Sequence, residues 1–317
     1  MMNKINGKMS HLQMRKIGLE DYPLLKPYFS CQPYGLCTYS LSSLIVWSNH
    51  VFQTFYAIEN DSVIIANESG CRPEENHLLL PIMPNGDLPV PTPEELAALA
   101  LRTGYLRYGS VPEDYLEQTG REKIRQYFIV SPQPEYDDYV YLAEDLRSLK
   151  GNRYAKKRNL IHQFSRDHLQ RNRVDTGPIG AEVVAECLEC LEKWCEIRNC
   201  DIDQASNLAC EKEAVINALH HVEELDMKGL FIRIDGEVCA FCISSHLRPD
   251  MGVMNFEKAL PQIRGLYQYL DNECAKHLFD GYLYINKESD MGLPALAESK
   301  NSYHPVLKIK SYRLVLR

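Results

Sequence analysis

The chain has 317 residues, 45% of them hydrophobic and 25% charged, the balance of a soluble globular protein of roughly two domains. No apolar run approaches the roughly 20 residues needed to cross a bilayer. Residues 1–14 lack the apolar core of a signal peptide, so a cytoplasmic protein is expected. The net charge of −8 argues against unspecific nucleic-acid binding as a default, but it is unevenly spread. Residues 147–173 carry nine Lys/Arg and one acid, a local +8, which leaves −16 on the remainder. That asymmetry points to a polyanionic partner at one patch.

The first half, in chain order, reads as strand, helices, strand pair, strand, helix and strand. Residues 14–29 suggest a short strand and then a helix, with Glu20 and Asp21 near a helix start that favours acids. Leu41, Leu44, Ile45 and Ser48 fall at helical spacing. Residues 54–69 read as a hairpin turning at Glu59-Asn60-Asp61, and residues 76–87 as a buried strand ended by Pro84-Asn85-Gly86. Thr92-Pro93-Glu94-Glu95 is a strong helix start, with a capping residue, proline in the first turn and acids after it. Residues 105–112 read as a strand, and 113–134 as a bridge to the second half.

The second half continues with the basic segment, where Ala155, Leu160, Ile161, Phe164 and His168 share a helical face. Two amphipathic helices follow, around Cys187, Leu191 and Trp194 and around Ala214, Val215 and Leu219. Residues 229–286 then read as strand, Asp235-Gly236 turn, strand, strand, short Arg/Gly loop, helix and strand. A short helix at 293–301 and a closing strand pair at 306–316 complete the chain. The eleven cysteines are odd in number and lie mostly in apolar periodic segments, so reduced core residues are expected and no metal.

The join at Gln262-Ile263-Arg264-Gly265-Leu266 places backbone N–H groups and a helix dipole where an anion such as a phosphate is favoured. Strand, loop and helix in this order resemble the GNAT acyltransferase core. More closely, NFEKALPQIRGLYQYLDNECAKH (255–277), INKESDMGLPALAESKNSYHPV (285–306) and GNRYAKKRNLIHQF (151–164) resemble the phosphatidylglycerol lysyltransferase C-terminal-type domain. The resemblance implies an α/β (α+β) fold of two tandem GNAT-like domains, each a mixed, mainly antiparallel sheet flanked by helices. The expected division is 12–134 and 135–317. The first half has four prolines in PNGDLPVPTP where a phosphate loop would stand, so it is expected to be degenerate and structural, and the second half to carry the site.

The implied activity is acyl or aminoacyl transfer, with acyl-CoA or aminoacyl-tRNA as co-substrate and an amine or hydroxyl acceptor, either a small molecule or a lipid headgroup. A non-catalytic binding or sensor protein on the same fold is the alternative. Acyl transfer needs a group that accepts the nucleophile's proton, for which Glu257, Glu288 and Asp290 are candidates. Tyr303 is the candidate acid for the leaving group, and Asn286 would line the acceptor cleft. Gln262, Ile263, Arg264, Gly265, Leu266 and Lys300 would hold the donor's phosphates, with Arg248 and Lys258 as possible further cations. Arg153, Lys156, Lys157 and Arg158 would contact tRNA. Acyl-CoA requires an open turn at Gly265; a plugged turn would count against it and favour the non-catalytic alternative.

Overall fold

The structure is a computed structural model that describes residues 12–84, 90–198 and 207–317. The first half contains β1 (Arg15–Lys16), α1 (Tyr22–Phe29), α2 (Leu41–Val46), β2 (Phe52–Glu59), β3 (Ser62–Ser69), β4 (His77–Leu78), α3 (Pro93–Thr103), β5 (Arg107–Pro112), α4 (Glu113–Thr119), α5 (Arg121–Tyr127) and β6 (Phe128–Pro132). The β2–β3 turn is built on Asn60 and Asp61, both with positive φ (50° and 57°), the geometry that matches a hairpin's right-handed twist. α3 begins as its sequence dictates. Thr92 Oγ1 accepts the Glu95 N–H at 3.3 Å, Glu95 returns a bond to the Thr92 N–H at 2.8 Å, and Pro93 takes the first position. Part of the proline-rich stretch, residues 85–89, lies outside the described residues.

The second half contains β7 (Asp138–Leu142), α6 (Ala143–Ser148), α7 (Ala155–Asp167), β8 (Val174–Pro178), α8 (Val184–Arg198), α9 (Asn207–His220), β9 (Lys228–Ile234), β10 (Glu237–Arg248), β11 (Met251–Ala259), α10 (Leu266–His277), β12 (Tyr284–Asn286), α11 (Pro294–Asn301), β13 (Leu307–Ile309) and β14 (Ser311–Leu316). Two seven-stranded sheets result, ordered β1-β2-β3-β4-β5-β14-β6 and β13-β7-β12-β11-β10-β9-β8. Pairing is antiparallel except at β4–β5 and β11–β12.

Two expectations are corrected. Residues 113–127 are not a plain bridge but α4 and α5, joined at Gly120 with φ 90°. Few of their side chains are buried, Tyr115, Leu116 and Ile124 among them, so apolar periodicity is faint. The closing strands do not pair with each other. β13 joins β7 in the second sheet, whereas β14 inserts between β5 and β6 of the first. Buried Tyr312 and Leu314 drive that insertion, and bonds from the Gln133 N–H to the Ser311 carbonyl and from the Ser311 N–H to Asp137 fix the crossing. The sheets therefore group 12–132 with 311–316, against 138–309.

The two halves share one continuous core. α2 of the first half packs on the second sheet, where Ser40 Oγ meets Ser245 Oγ at 2.8 Å and Ser43 Oγ accepts from Asn255 at 2.7 Å. Cys187, Cys190, Cys195, Cys239, Cys242 and Cys274 are buried in that core.

Candidate active site

β11 and β12 pair in parallel over only three residues, from Met251 opposite Tyr284 to Val253 opposite Asn286. Beyond that point β11 runs on and the strands part, which is the splay of the expected fold. Lys287, the first residue after β12, fills the gap. Its Nζ lies 3.1 Å from Glu257 Oε2 on β11 and also contacts Asp271 on α10. Lys157 of α7 closes the cluster, with its Nζ 3.7 Å from the centre of the Tyr303 ring and 2.7 Å from Ser302 Oγ. Glu257 Oε1 and the Tyr303 hydroxyl are buried without a hydrogen-bond partner. Burial, then the neighbouring Asp271, pushes Glu257 up to about 7, and burial raises the Tyr303 phenol far out of its ordinary range. Glu257 thus pairs with Lys287, not with Lys258 or Arg264 as considered from sequence. Lys258 instead pairs with Glu211 at 2.5 Å, and Arg248 with Asp250 at 2.7 Å, so neither is a spare cation for the donor loop.

The donor loop is formed but blocked on one side. Gly265 has φ 82° and starts α10. A Cβ placed there would sit 2.2 Å from the Leu160 carbonyl oxygen and 3.2 Å from Phe164 Cβ, both on α7. Glycine is therefore required for the close approach of two helices, and α7 covers that side of the turn. Gln262 and Arg264 are exposed, Ile263 is half-buried and Leu266 is a core residue. Most donors of the basic segment are engaged within the chain. Arg153 pairs with Asp145 at 2.7 Å, Arg158 donates to the Leu149 and Gly151 carbonyls, and Lys157 faces inward. Of the four, Lys156 is the one left exposed without a partner among the described residues.

The loop after β12 builds a second group. Lys300 does not face a donor phosphate. It donates to the carbonyls of Lys287, Glu288 (3.1 Å) and Ser289 (2.6 Å), clamping three successive peptide oxygens. Within that clamp Glu288 takes a left-handed backbone, φ 59°, and its N–H bonds Asn286 Oδ1 at 2.7 Å. Asn286 Nδ2 in turn donates to Asp138 and to the Gly35 carbonyl, so it is a strut between the halves. Asp290 is also structural: Oδ2 accepts from the Tyr139 hydroxyl at 2.6 Å and Oδ1 from the Gly292 N–H at 2.8 Å.

Glu288, by contrast, opens onto space. It lines a cavity of about 350 Å³ between the first sheet and the 287–291 loop. Leu44, Trp47, Val51 and Phe52 give it an apolar lining, and Cys37, Thr38 and Ser43 line it as well. Asn255 Nδ2 approaches Glu288 Oε1 at 3.4 Å, while Asn255 Oδ1 and Thr38 Oγ1 are buried with no partner. Burial pushes Glu288 up to about 8, with Lys300 pulling the other way and Asp138 adding to the rise. A carboxyl held this way takes up or gives up a proton near neutrality. Glu257 and Tyr303 do not line this cavity. The candidates thus divide into a closed ionic cluster (Glu257, Tyr303), a structural pair (Asp290, Lys300) and one cavity-facing carboxyl (Glu288). Sequence reading missed Thr38, Ser43, Asp138, Asn255, Asp271 and Lys287; the last three lie within the stretches 255–277 and 285–306, but nothing local marks which of their side chains meet.

The profile of the family described as "Phosphatidylglycerol lysyltransferase, C-terminal" matches residues 33–315. The chain belongs to this family. Among solved structures, a conserved protein of unknown function from Bacteroides thetaiotaomicron is 28% identical with a TM-score of 0.83, over 96% of this chain and all of that one. The C-terminal domain of a candidate lysylphosphatidylglycerol synthetase from Agrobacterium fabrum is 13% identical with a TM-score of 0.64, over 93% of this chain and 92% of that one. A more distant match is a tandem GNAT protein from the clavulanic acid biosynthesis pathway, 8% identical, TM-score 0.46, over 96% and 98% of the two chains. Among curated proteins, none matches in sequence. The fold is the expected α/β one, with two mainly antiparallel sheets flanked by helices. Among the described residues no helix is long and apolar enough to cross a membrane.

Proposed function

We propose that this member of the lysyltransferase family transfers an aminoacyl or acyl group from an ester donor to an amine or hydroxyl acceptor in the cavity beneath Glu288. The observation that carries the reading is a carboxyl pushed up to about 8 on the wall of a largely apolar cavity. As the acceptor's nitrogen or oxygen bonds to the donor carbonyl carbon, its proton passes to Glu288. The carbonyl oxygen gains the negative charge as the tetrahedral intermediate forms. When the ester C–O bond breaks, the proton on Glu288 returns to the departing oxygen, so the carboxylate is regenerated without a covalent enzyme intermediate. Asn255 aims the carboxyl, and Lys300 holds the loop that carries it.

The packing of α7 on Gly265 and Lys287 in the splay count against acyl-CoA and leave an aminoacyl-tRNA ester as the donor of this reading, with Lys156 the basic-helix cation still uncommitted for its phosphates. The same plug is what a non-catalytic binding protein would show, and that is the second reading. Binding of labelled tRNA and of CoA to the whole chain separates the three cases. The proposal expects tRNA to bind at micromolar concentration and CoA not to bind. CoA binding that disappears in Arg264→Ala would restore the acyl-CoA donor, and failure of both ligands would leave the non-catalytic reading.

A further inference from the structure

The cavity that Glu288 lines takes much of its apolar lining from one short stretch of chain. Leu44 on α2, Trp47 just after it, Val51, and Phe52 at the start of β2 all line it. Leu44 is buried, and the other three keep part of their surface exposed. The Trp47 ring packs on Phe256 of β11, with centroids 6.0 Å apart, so the second sheet holds it in place. Apolar surface left wet in a cavity gains when an apolar group displaces the water. At about 350 Å³ the space is near the small end of ligand cavities and suits one amino-acid-sized group, not a long hydrocarbon chain.

The charges on the same lining turn a cation away. Arg107 on β5 and Arg313 on β14 both line the cavity, and among the described residues neither has a carboxylate partner or a hydrogen-bond acceptor. Arg72 and Glu75 pair with each other at 2.9 Å, which leaves Glu135 as the lining carboxylate, besides Glu288, that holds no cation among the described residues. His77 adds no negative charge; burial, with Arg313 and Arg107 acting the same way, lowers its basicity, so the ring is neutral at pH 7. Glu288 keeps its proton at pH 7, and an ammonium that drew the proton off would work against the burial that holds it there. Two guanidinium ions against one carboxylate leave the lining positive, and a further ammonium would lose hydration there without gaining a counter-ion.

We infer that the aminoacyl group transferred at Glu288 carries an uncharged, apolar side chain, aliphatic or aromatic, seated against Leu44, Trp47, Val51 and Phe52. This assignment rests on the transferase reading and deepens it by naming the class of donor. The α-amino group and the ester are common to every aminoacyl-tRNA, so the side chain is what the lining selects. The selection departs from the lysyl group in the family's description. It also gives the first half a role in specificity in place of the structural one expected, since all four residues belong to it. Recognition of an aminoacyl amide does not need turnover, so the two readings fail separately.

The fluorescence of Trp47 supplies the test. The chain has two tryptophans, and Trp194→Phe leaves Trp47 alone. Amino-acid amides stand in for the aminoacyl ester. Leucinamide and phenylalaninamide should bind at millimolar concentration or tighter and shift the Trp47 emission to the blue. Lysinamide should bind at least about 10-fold more weakly, the discrimination expected from burying one apolar side chain. Val51→Asp, which puts a carboxylate into the lining, should abolish that preference, and its retention there overturns the assignment. Lysinamide binding as tightly as leucinamide, or no response to any amide, overturns it as well. So does hexanol binding more tightly than leucinamide, which would give the lining to an acceptor's hydrocarbon. Should either variant not fold, calorimetry on the wild-type chain must show the same order of amides, and any other order overturns the proposal.

Discussion

Replacing Glu288 by Gln tests whether burial holds this carboxyl protonated. Its proton affinity rises from an ordinary 4.5 to about 8 on folding. The folded state therefore holds a proton that the unfolded chain has already lost between these values. Stability due to that proton is full below about 4.5 and is lost as pH rises through about 8. About 3.5 units at 1.36 kcal/mol each give an upper value near 5 kcal/mol, and screening by cavity water brings it to roughly 3–5 kcal/mol. Gln keeps the shape and the acceptor oxygen for Asn255 but cannot ionise. Urea midpoints of both proteins from pH 4.5 to 9 should diverge, the variant becoming the more stable by about 1 M or more above pH 8. Other groups with raised affinity, Glu257 among them, titrate in both proteins and cancel in the difference. Parallel pH profiles would show that Glu288 ionises freely, and the argument for it as a base poised near neutrality would fall.

Other outcomes follow from the surrounding geometry. Gly265→Ala should lower stability by about 3 kcal/mol or more, since a left-handed backbone and a 2.2 Å contact with the Leu160 carbonyl must both be relieved; an unchanged melting temperature would mean that α7 does not pack there. Lys287→Met should cost about 3–5 kcal/mol at neutral pH by leaving Glu257 and Asp271 buried without their cation, and thermal unfolding at pH 7 checks it. Lys300→Met leaves three converging carbonyls unbonded, so faster hydrogen exchange confined to residues 287–289 and a fall in turnover are expected. Exchange unchanged in that loop would contradict the clamp.

Much of the fold was legible in local chemistry. The Thr92 capping box, the Asn60-Asp61 and Asp235-Gly236 turns and the Gly265 helix start all stand where residue type predicts them. What local pattern could not show was partnership at a distance. β14 looks like any closing strand, and its place in the first sheet depends on packing of Tyr312 and Leu314 against strands from far earlier in the chain. The site behaves likewise. Glu288, Asn286 and Tyr303 were noticed from their motif, but which carboxyl faces open space depends on Lys287 and Lys300. One lysine fills the splay and the other turns the Glu288 backbone toward the cavity. Gly265 read as a phosphate-binding glycine because helix packing and anion binding ask the same thing of a backbone.

The most direct measurement of the central claim is the transfer of a radiolabelled aminoacyl group from a total aminoacyl-tRNA pool to amine and alcohol acceptors, followed against pH. Wild-type chain should accelerate the transfer, with a rate that rises with pH through about 8 as Glu288 becomes the base. Glu288→Gln should lose about 100-fold or more and the pH dependence with it. Transfer by the variant at the wild-type rate, or none by either protein with any aminoacyl-tRNA or acyl-CoA, would contradict the account.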